Sequence, residues 1–255
     1  PEVLQQMRGK DLTEIRKKAI DNLNKYNLST TLVVTLQKGL NDNEIGEIID
    51  YALKQKRVRG VTFQPTSVSG RLENFDPAKD RLTNTEIRQQ ILKQSNIFKP
   101  NDIVPVPCNP DALMMAYALK YKSEVIPLTN LVDPEVFLQD STKNTIVYEQ
   151  DVTLQKHVMK MFTTGKSTDK VSSLFKHLLC CLPNIVAPNL GYDNLFRVIV
   201  MNFMDAYDFD VRAIKKSCVH IVNKQGKIIP FETMNLFYRE GMEDKLRKHR
   251  EEVSG

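Results

Sequence analysis

Apolar residues recur at helical spacing at Ile15, Ala19, Ile20 and Leu23. They form one stripe on a helix of 3.6 residues per turn. The spacing predicts a helix over residues 11–26, capped by Asp11, with Glu14 three residues on completing a capping-box signature. Asn27 stops it. Residues 30–36, Thr-Thr-Leu-Val-Val-Thr-Leu, are short and β-branched and read as a buried strand. Gly39 marks the following turn. The unit then repeats. Asn41 with Glu44 gives a second cap, and Ile45, Ile48, Ile49, Ala52 and Leu53 give a second stripe. After a basic turn, residues 60–64 (Gly-Val-Thr-Phe-Gln) make a second strand, ended by Pro65. Strands alternating with amphipathic helices predict parallel pairing through crossover helices.

Thr83 and Glu86 repeat the capping-box spacing and open a third helix over 84–95. The texture changes at residues 100–110, where Pro100, Pro105, Pro107 and Pro110 interrupt regular structure. A domain transition is placed near residue 98. Beyond it, 111–121, 154–161 and 170–182 read as helices, and 195–203 as a strand. Residues 218–222 and 227–231 read as a hairpin turning at Gly226, and 242–252 as a charged helix. Residue 1 is proline, and Pro1-Glu2-Val3-Leu4 reads as the middle of an element. The chain is therefore expected to be a piece of a longer one.

The 255 residues are 41% hydrophobic and 26% charged, which excludes wholesale disorder. No apolar run reaches the ~18 residues of a membrane span. The 36 Lys and Arg are interspersed with 31 Asp and Glu, for a net charge of +5. A solvated surface explains that pattern better than a nucleic-acid footprint. Four cysteines, Cys108, Cys180, Cys181 and Cys218, with no export signal, fit a reducing, cytoplasmic compartment.

Ligands of parallel sheets sit beyond the carboxyl ends of the strands. Thr35, Gln37, Gln64, Thr66, Ser67 and Arg71 occupy such positions, either as ligand contacts or as solvated loops. Gly165-Lys166-Ser167 lacks the earlier glycine and the preceding strand of a P-loop. Cys108 is fixed between Pro107 and Asn109-Pro110. Cys180 and Cys181 end a helix before Leu182-Pro183. Cys218 follows Lys215-Lys216, and basic neighbours favour a thiolate. These thiols converge on zinc or an iron–sulfur cluster, or are buried small hydrophobes. His220 is a ligand beside Cys218 or a hydrogen-bonded neighbour. His157, His177 and His249 read as structural or surface residues. Asp205, Asp208 and Asp210 position a substrate or cation, or serve as turn and cap residues.

The segments Arg8-Gly9, residues 31–36, residues 38–45 (Lys-Gly-Leu-Asn-Asp-Asn-Glu-Ile) and residues 58–65 (Val-Arg-Gly-Val-Thr-Phe-Gln-Pro) resemble the later half of the radical S-adenosylmethionine (SAM) barrel. Their texture is similar to the molybdenum-cofactor cyclase type. A longer pattern resembles the branch containing archaeal tetraether lipid synthase. It includes Gly70-Arg71, Arg81-Leu82-Thr83, residues 105–111, Pro127-Leu128-Thr129, residues 203–212, residues 217–220 and Pro230-Phe231. The resemblance implies an α/β fold: the later half of a partial (β/α)6 barrel over residues 1–98, then an α+β auxiliary-cluster or substrate domain over 99–255. It implies a [4Fe–4S] cluster, held by a three-cysteine loop, that cleaves SAM to a 5′-deoxyadenosyl radical. Neither that CxxxCxxC loop nor a Gly-Gly-Glu motif occurs in these 255 residues. The expected place for both is upstream of Pro1, and this piece alone is not expected to cleave SAM.

By the same resemblance, Thr31, Val33 and Thr35 lie on the fifth barrel strand, which directs side chains toward SAM. Thr31 stands where the cyclase has a lysine. Gln64 matches a position contacting adenine. Cys108, Cys180, Cys181 and Cys218 match the region of an auxiliary [4Fe–4S] cluster. The implied activity is C–H activation leading to C–C bond formation or methylation of a small-molecule or lipid-like substrate. An electron-donor protein would be a partner, with no nucleic acid and no membrane span. The alternatives are a non-catalytic metal- or Fe–S-binding interaction domain and a plain α/β scaffold with buried thiols.

Overall fold

The computed structural model describes residues 1–68, 75–106, 109–121, 124–130, 194–217 and 219–238. Two helices open it, α1 (Glu2–Arg8) and α2 (Thr13–Lys25), followed by β1 (Thr30–Leu36), α3 (Ile45–Lys54) and β2 (Val58–Pro65). Next come α4 (Pro77–Asp80), α5 (Asn84–Gln94), β3 (Val104–Pro105), β4 (Leu113–Tyr121), β5 (Glu124–Pro127) and β6 (Leu195–Met201). A short helix, α6 (Val211–Ile214), precedes the hairpin of β7 (His220–Val222) and β8 (Ile228–Pro230).

The predicted helix–strand alternation is present, and β1 pairs parallel with β2 as expected. The main sheet has the order β1-β2-β6-β4-β3, with β5 against β4. β6 continues the parallel run beside β2. β4 runs antiparallel to β6, β3 and β5. One sheet thus joins strands from both sides of residue 98.

The caps divide by local chemistry. Thr83 and Glu86 form the reciprocal capping box at α5, satisfying orphan N–H donors at the helix start. At α2, Asp11 accepts from the Thr13 amide at 2.9 Å, but Glu14 pairs with Lys17 instead of reaching back. Asn41 does not cap α3 either. Its buried amide accepts from Gln37 N at 2.9 Å and donates to the Thr35 carbonyl at 3.0 Å, closing the turn that leaves β1. Gly39 in that turn has φ 72, a conformation glycine adopts without steric cost.

A further sequence expectation is corrected within the described residues. The segment 111–121, predicted as a helix, holds a turn at 111–112 and strand β4 (Leu113–Tyr121). Their run Leu-Met-Met-Ala-Tyr-Ala-Leu is apolar on both faces, and periodicity does not separate a buried strand from a buried helix in so short a run. Both faces of β4 are indeed used. Ala116 and Ala118 enter the main core, while Leu113 and Met115 pack with Val106. Their tight seat against β6 overrides the helix propensity of Leu, Met and Ala. The predicted elements at 154–161, 170–182 and 242–252 lie outside the described residues.

The larger core lies on one side of the sheet. Ile45, Ile49 and Ala52 of α3 and Ile87 and Ile91 of α5 pack on Leu36, Val61, Phe63, Phe196, Val198 and Val200. Each such side chain contributes about 1.5–3 kcal/mol by leaving water. Among the described residues, these two helices cover one face; on the other, Val106, Leu113 and Met115 pack with Tyr117, Ile199 and Met201 beside the β1–β2 part of the sheet. Among the described residues no helix is long and apolar enough to cross a membrane.

Candidate functional site

Strand register determines which side chains share the face opposite α3 and α5. A strand alternates its side chains between faces. Leu32, Val34 and Leu36 turn toward the helices, so Thr31, Val33 and Thr35 turn away. Thr31 is in register with Gly60, Val33 with Thr62, and Thr35 with Gln64. Across β2, Gly60 aligns with Arg197 and Thr62 with Ile199. Across β6, Arg197 aligns with Tyr117, Ile199 with Met115, and Met201 with Leu113.

The face therefore has three layers. The lowest, near the amino ends of the parallel strands, contains Thr31, Gly60, Arg197 and Tyr117. The middle contains Val33, Thr62, Ile199 and Met115. The uppermost, at the carboxyl ends, contains Thr35, Gln64, Met201 and Leu113. All four residues matched to SAM contacts by sequence, Thr31, Val33, Thr35 and Gln64, share it. Val33 is 62% exposed there, on a strand that forms the sheet's edge among the described residues. The hydroxyls of Thr31, Thr35 and Thr62 and the amide of Gln64 give the β1–β2 half hydrogen-bonding capacity.

Two arginines reach over this half. Arg8, ending α1, donates to Thr35 Oγ1 at 3.5 Å, and Arg197 donates to Thr31 Oγ1 at 3.5 Å. To reach β1 from β6, the Arg197 side chain crosses Gly60. A Cβ at position 60 would collide with the Arg197 carbonyl oxygen and lie 2.6 Å from Arg197 Cγ, so glycine is what allows β2 and β6 to approach this closely beneath the arginine stem. A bulge beside it, where the register shifts between Thr30 and Thr31, accommodates the extra residue Arg59.

The loops at the carboxyl ends are tied down. Thr66 binds the Leu36 carbonyl through its amide (2.8 Å) and its hydroxyl (2.9 Å), closing the ends of β1 and β2 together. Asp205, 0% exposed, accepts from the Val68 amide at 2.6 Å and the Tyr207 amide at 2.9 Å, and from the Arg81 guanidinium. Arg81 also pairs with Asp208 at 3.0 Å. This ion cluster joins the loops after β2 and β6 to the segment preceding α5. The carboxylate cluster seen in sequence thus divides. Asp205 and Asp208 clamp loops, while Asp210 caps α6 by accepting from Arg212 N at 2.7 Å. That bond is the main cause holding the Asp210 carboxyl below the usual range. At the opposite end of the sheet, burial and then the charge of Arg59 hold the Lys120 ammonium below the usual lysine range.

Among the remaining candidates, the backbone amide of Gln37 bonds Asn41, Ser67 is half-buried, and His220 is exposed. Arg71 and all four cysteines, Cys108, Cys180, Cys181 and Cys218, lie outside the described residues, as do His157, His177 and His249. Among the described residues no three His, Cys, Asp or Glu groups converge on a metal site. Sequence reasoning assigned no role to Arg197 or Arg81. Arg197 carried a signal nonetheless: it is the one charge in Leu-Phe-Arg-Val-Ile-Val-Met, and a charge inside an apolar strand asks for a purpose.

No protein-family model matches the chain. The chain is similar to the 7,8-dihydro-6-hydroxymethylpterin dimethyltransferase of Methanocaldococcus jannaschii, 28% identical over 281 residues, with 94% of this chain and 54% of the relative covered. The chain spans about half the length of that relative. A methyltransferase relative is compatible with the radical SAM resemblance seen in the sequence.

Proposed function

We propose that this chain forms the later part of a radical SAM methyltransferase acting on a pterin-like heteroaromatic small molecule. The observation that carries this reading is the common face of Thr31, Val33, Thr35 and Gln64. It lies on the parallel part of the sheet, whose other side is covered by helices. The similarity to a pterin dimethyltransferase across 94% of the chain supports it. In this reading the face opposite α3 and α5 is the inner wall of a partial (β/α)6 barrel, and the edge of β1, free among the described residues, continues into the rest of the barrel.

The hydroxyls and the amide of the β1–β2 half fit the adenosine portion of SAM, which offers ring nitrogens and ribose hydroxyls. Gln64 reads the adenine edge, Thr35 hydrogen-bonds the ribose, and Val33 supplies an apolar contact. The clamp on Asp205 fixes the loops above that half, so the ligand meets a preorganised wall. A [4Fe–4S] cluster together with SAM supplies the one-electron chemistry for C–H activation, fed by an electron-donor protein. The cysteines of this chain take an auxiliary cluster in this proposal.

The test uses full-length protein, reconstituted with iron and sulfide without oxygen and given SAM, a strong reductant and 7,8-dihydro-6-hydroxymethylpterin. 5′-Deoxyadenosine and a methylated pterin, resolved by mass spectrometry, are expected. Iron incorporation with neither product would refute the reading and favour the non-catalytic metal-binding alternative.

A further inference from the structure

We propose that Lys120 is a site of covalent acylation, taking the acyl group of a small acyl phosphate whose phosphate is drawn by the basic turn between α3 and β2. The site lies at the amino ends of the parallel strands, away from the Thr35 and Gln64 end, and stands independently of the SAM reading. β4 runs antiparallel to β6, so its last residues reach the level where β6 begins, with Leu119 in register with Leu195. Ala116 and Ala118 enter the main core, and strand alternation puts Lys120 on the same side. The half-buried Lys120 side chain runs along the end of that core. Its ammonium lies 5.8 Å from the centroid of the buried Phe196 ring and donates to the Gln55 carbonyl at 3.3 Å. Among the described residues those are its side-chain partners, and no carboxylate pairs with it. Glu124 stands opposite Tyr121, which strand alternation places on the other face of the hairpin. On α3, Asp50 is exposed a turn before Lys54.

An ammonium seated this way exchanges much of its water for one neutral acceptor and an aromatic face. Burial first, and then the charge of Arg59, disfavour its protonated form. The free amine is the nucleophile, so at neutral pH Lys120 holds more of the reactive form than an ordinary exposed lysine does. Gln55 belongs to the run Lys54-Gln55-Lys56-Arg57. Lys54 and Lys56 are exposed and bracket the residue whose carbonyl Lys120 touches. Positive charges gathered round a half-desolvated amine raise the local concentration of an anionic reagent, which favours acyl phosphates over uncharged acyl donors. In the step, the Lys120 amine attacks the acyl carbon and the N–C bond forms. The bond from that carbon to the phosphate oxygen breaks, and phosphate leaves with the electron pair. The amine's proton passes to phosphate or water, and nothing is oxidised or reduced. The product amide is uncharged, so acylation removes a charge that burial and Arg59 oppose, and its N–H still has the Gln55 carbonyl to donate to.

The test incubates full-length protein with acetyl phosphate at neutral pH and follows each acetylated lysine by quantitative peptide mass spectrometry. Lys54 and Lys56 share the turn and hence the reagent, so they isolate the reactivity of the amine. Lys18, exposed on α2, reports the rate without the basic turn. Lys120 is expected to react at least about threefold faster than Lys54 or Lys56. That lead should narrow as the pH approaches about 10, where ordinary lysines also lose their protons. With an uncharged acetyl thioester in place of acetyl phosphate, Lys120 should still lead Lys54 and Lys56, while its lead over Lys18 shrinks. Lys54→Gln combined with Lys56→Gln should slow acetylation of Lys120 by acetyl phosphate and leave its thioester rate within about twofold. Wild-type Lys120 reacting no faster than Lys54 and Lys56 at neutral pH, or a lead that pH does not change, would overturn the site whether or not any variant folds. Equal slowing with both reagents in the double variant would overturn the part assigned to the basic turn.

Discussion

Replacing Asp205 by Asn removes one charge and almost no volume from a site closed to water. The Asp205 side chain is 0% exposed and the Arg81 side chain 15%. Breaking a buried ion pair by neutralising one partner costs ~3–5 kcal/mol, because the other charge is stranded. Here the cost is lower, since Arg81 keeps Asp208 at 3.0 Å, and Asp208 is 31% exposed. The amide also loses acceptor capacity, as Asp205 Oδ2 serves both Arg81 and the Val68 amide. A destabilisation of about 2–3 kcal/mol follows. At ~2–4 °C per kcal/mol for a domain of this size, the Tm falls by about 4–12 °C. Urea unfolding followed by circular dichroism, with Asp208→Asn as the control, checks it. The control should cost about 1 kcal/mol or less, because the more exposed pair is screened by solvent. Equal effects from the two substitutions, or an Asp205→Asn protein as stable as wild type, would show that the cluster does not hold the loops.

Gly60→Ala should destabilise by about 1–3 kcal/mol through overpacking, since its Cβ would collide with the Arg197 carbonyl oxygen and fall 2.6 Å from Arg197 Cγ. Gly60→Ala combined with Arg197→Ala should recover only part of that loss, and a full recovery in thermal melts would mean the backbone of β6 is not involved. Glu86→Gln should lower stability by about 0.5–1 kcal/mol at neutral pH, since the cap weakens and the half-exposed pair with Lys38 is lost. The hydrogen bond from Lys38 is the main cause holding the Glu86 carboxyl below the usual range. A depressed carboxyl stabilises the fold above its unfolded pKa of about 4.3 and loses that contribution as pH falls through the folded value. The difference between wild type and Glu86→Gln should therefore close in acid, and a difference independent of pH would count against the ion pair.

The half of the fold built from local signals was legible in the sequence. The stripes Ile45-Ile49-Ala52 and Ile87-Ile91 and the box at Thr83 and Glu86 act within a few residues and have their predicted form; the β-branched run of β1 forms its predicted strand, but only Leu36 of it is buried. Placing Thr31, Val33, Thr35 and Gln64 by resemblance gave residues that share one face, because strand alternation and parallel register preserve sidedness. β4 was not legible, since its two apolar faces erase the period that distinguishes strand from helix. The contact of Arg81 with Asp205 spans 124 residues, and no local pattern encodes a pairing set by the docking of two loops. Arg197 needed the register as well. Only the alignment of Gly60 with Arg197 shows that the arginine has a lane across the sheet.

Photolabelling with 8-azido-S-adenosylmethionine, followed by peptide mapping of the full-length protein, tests the central claim most directly. The account predicts adducts in the peptides bearing Thr35 and Gln64, suppressed by excess SAM. Adducts confined to helices α3 and α5, on the covered side of the sheet, or spread without protection by SAM, would contradict it.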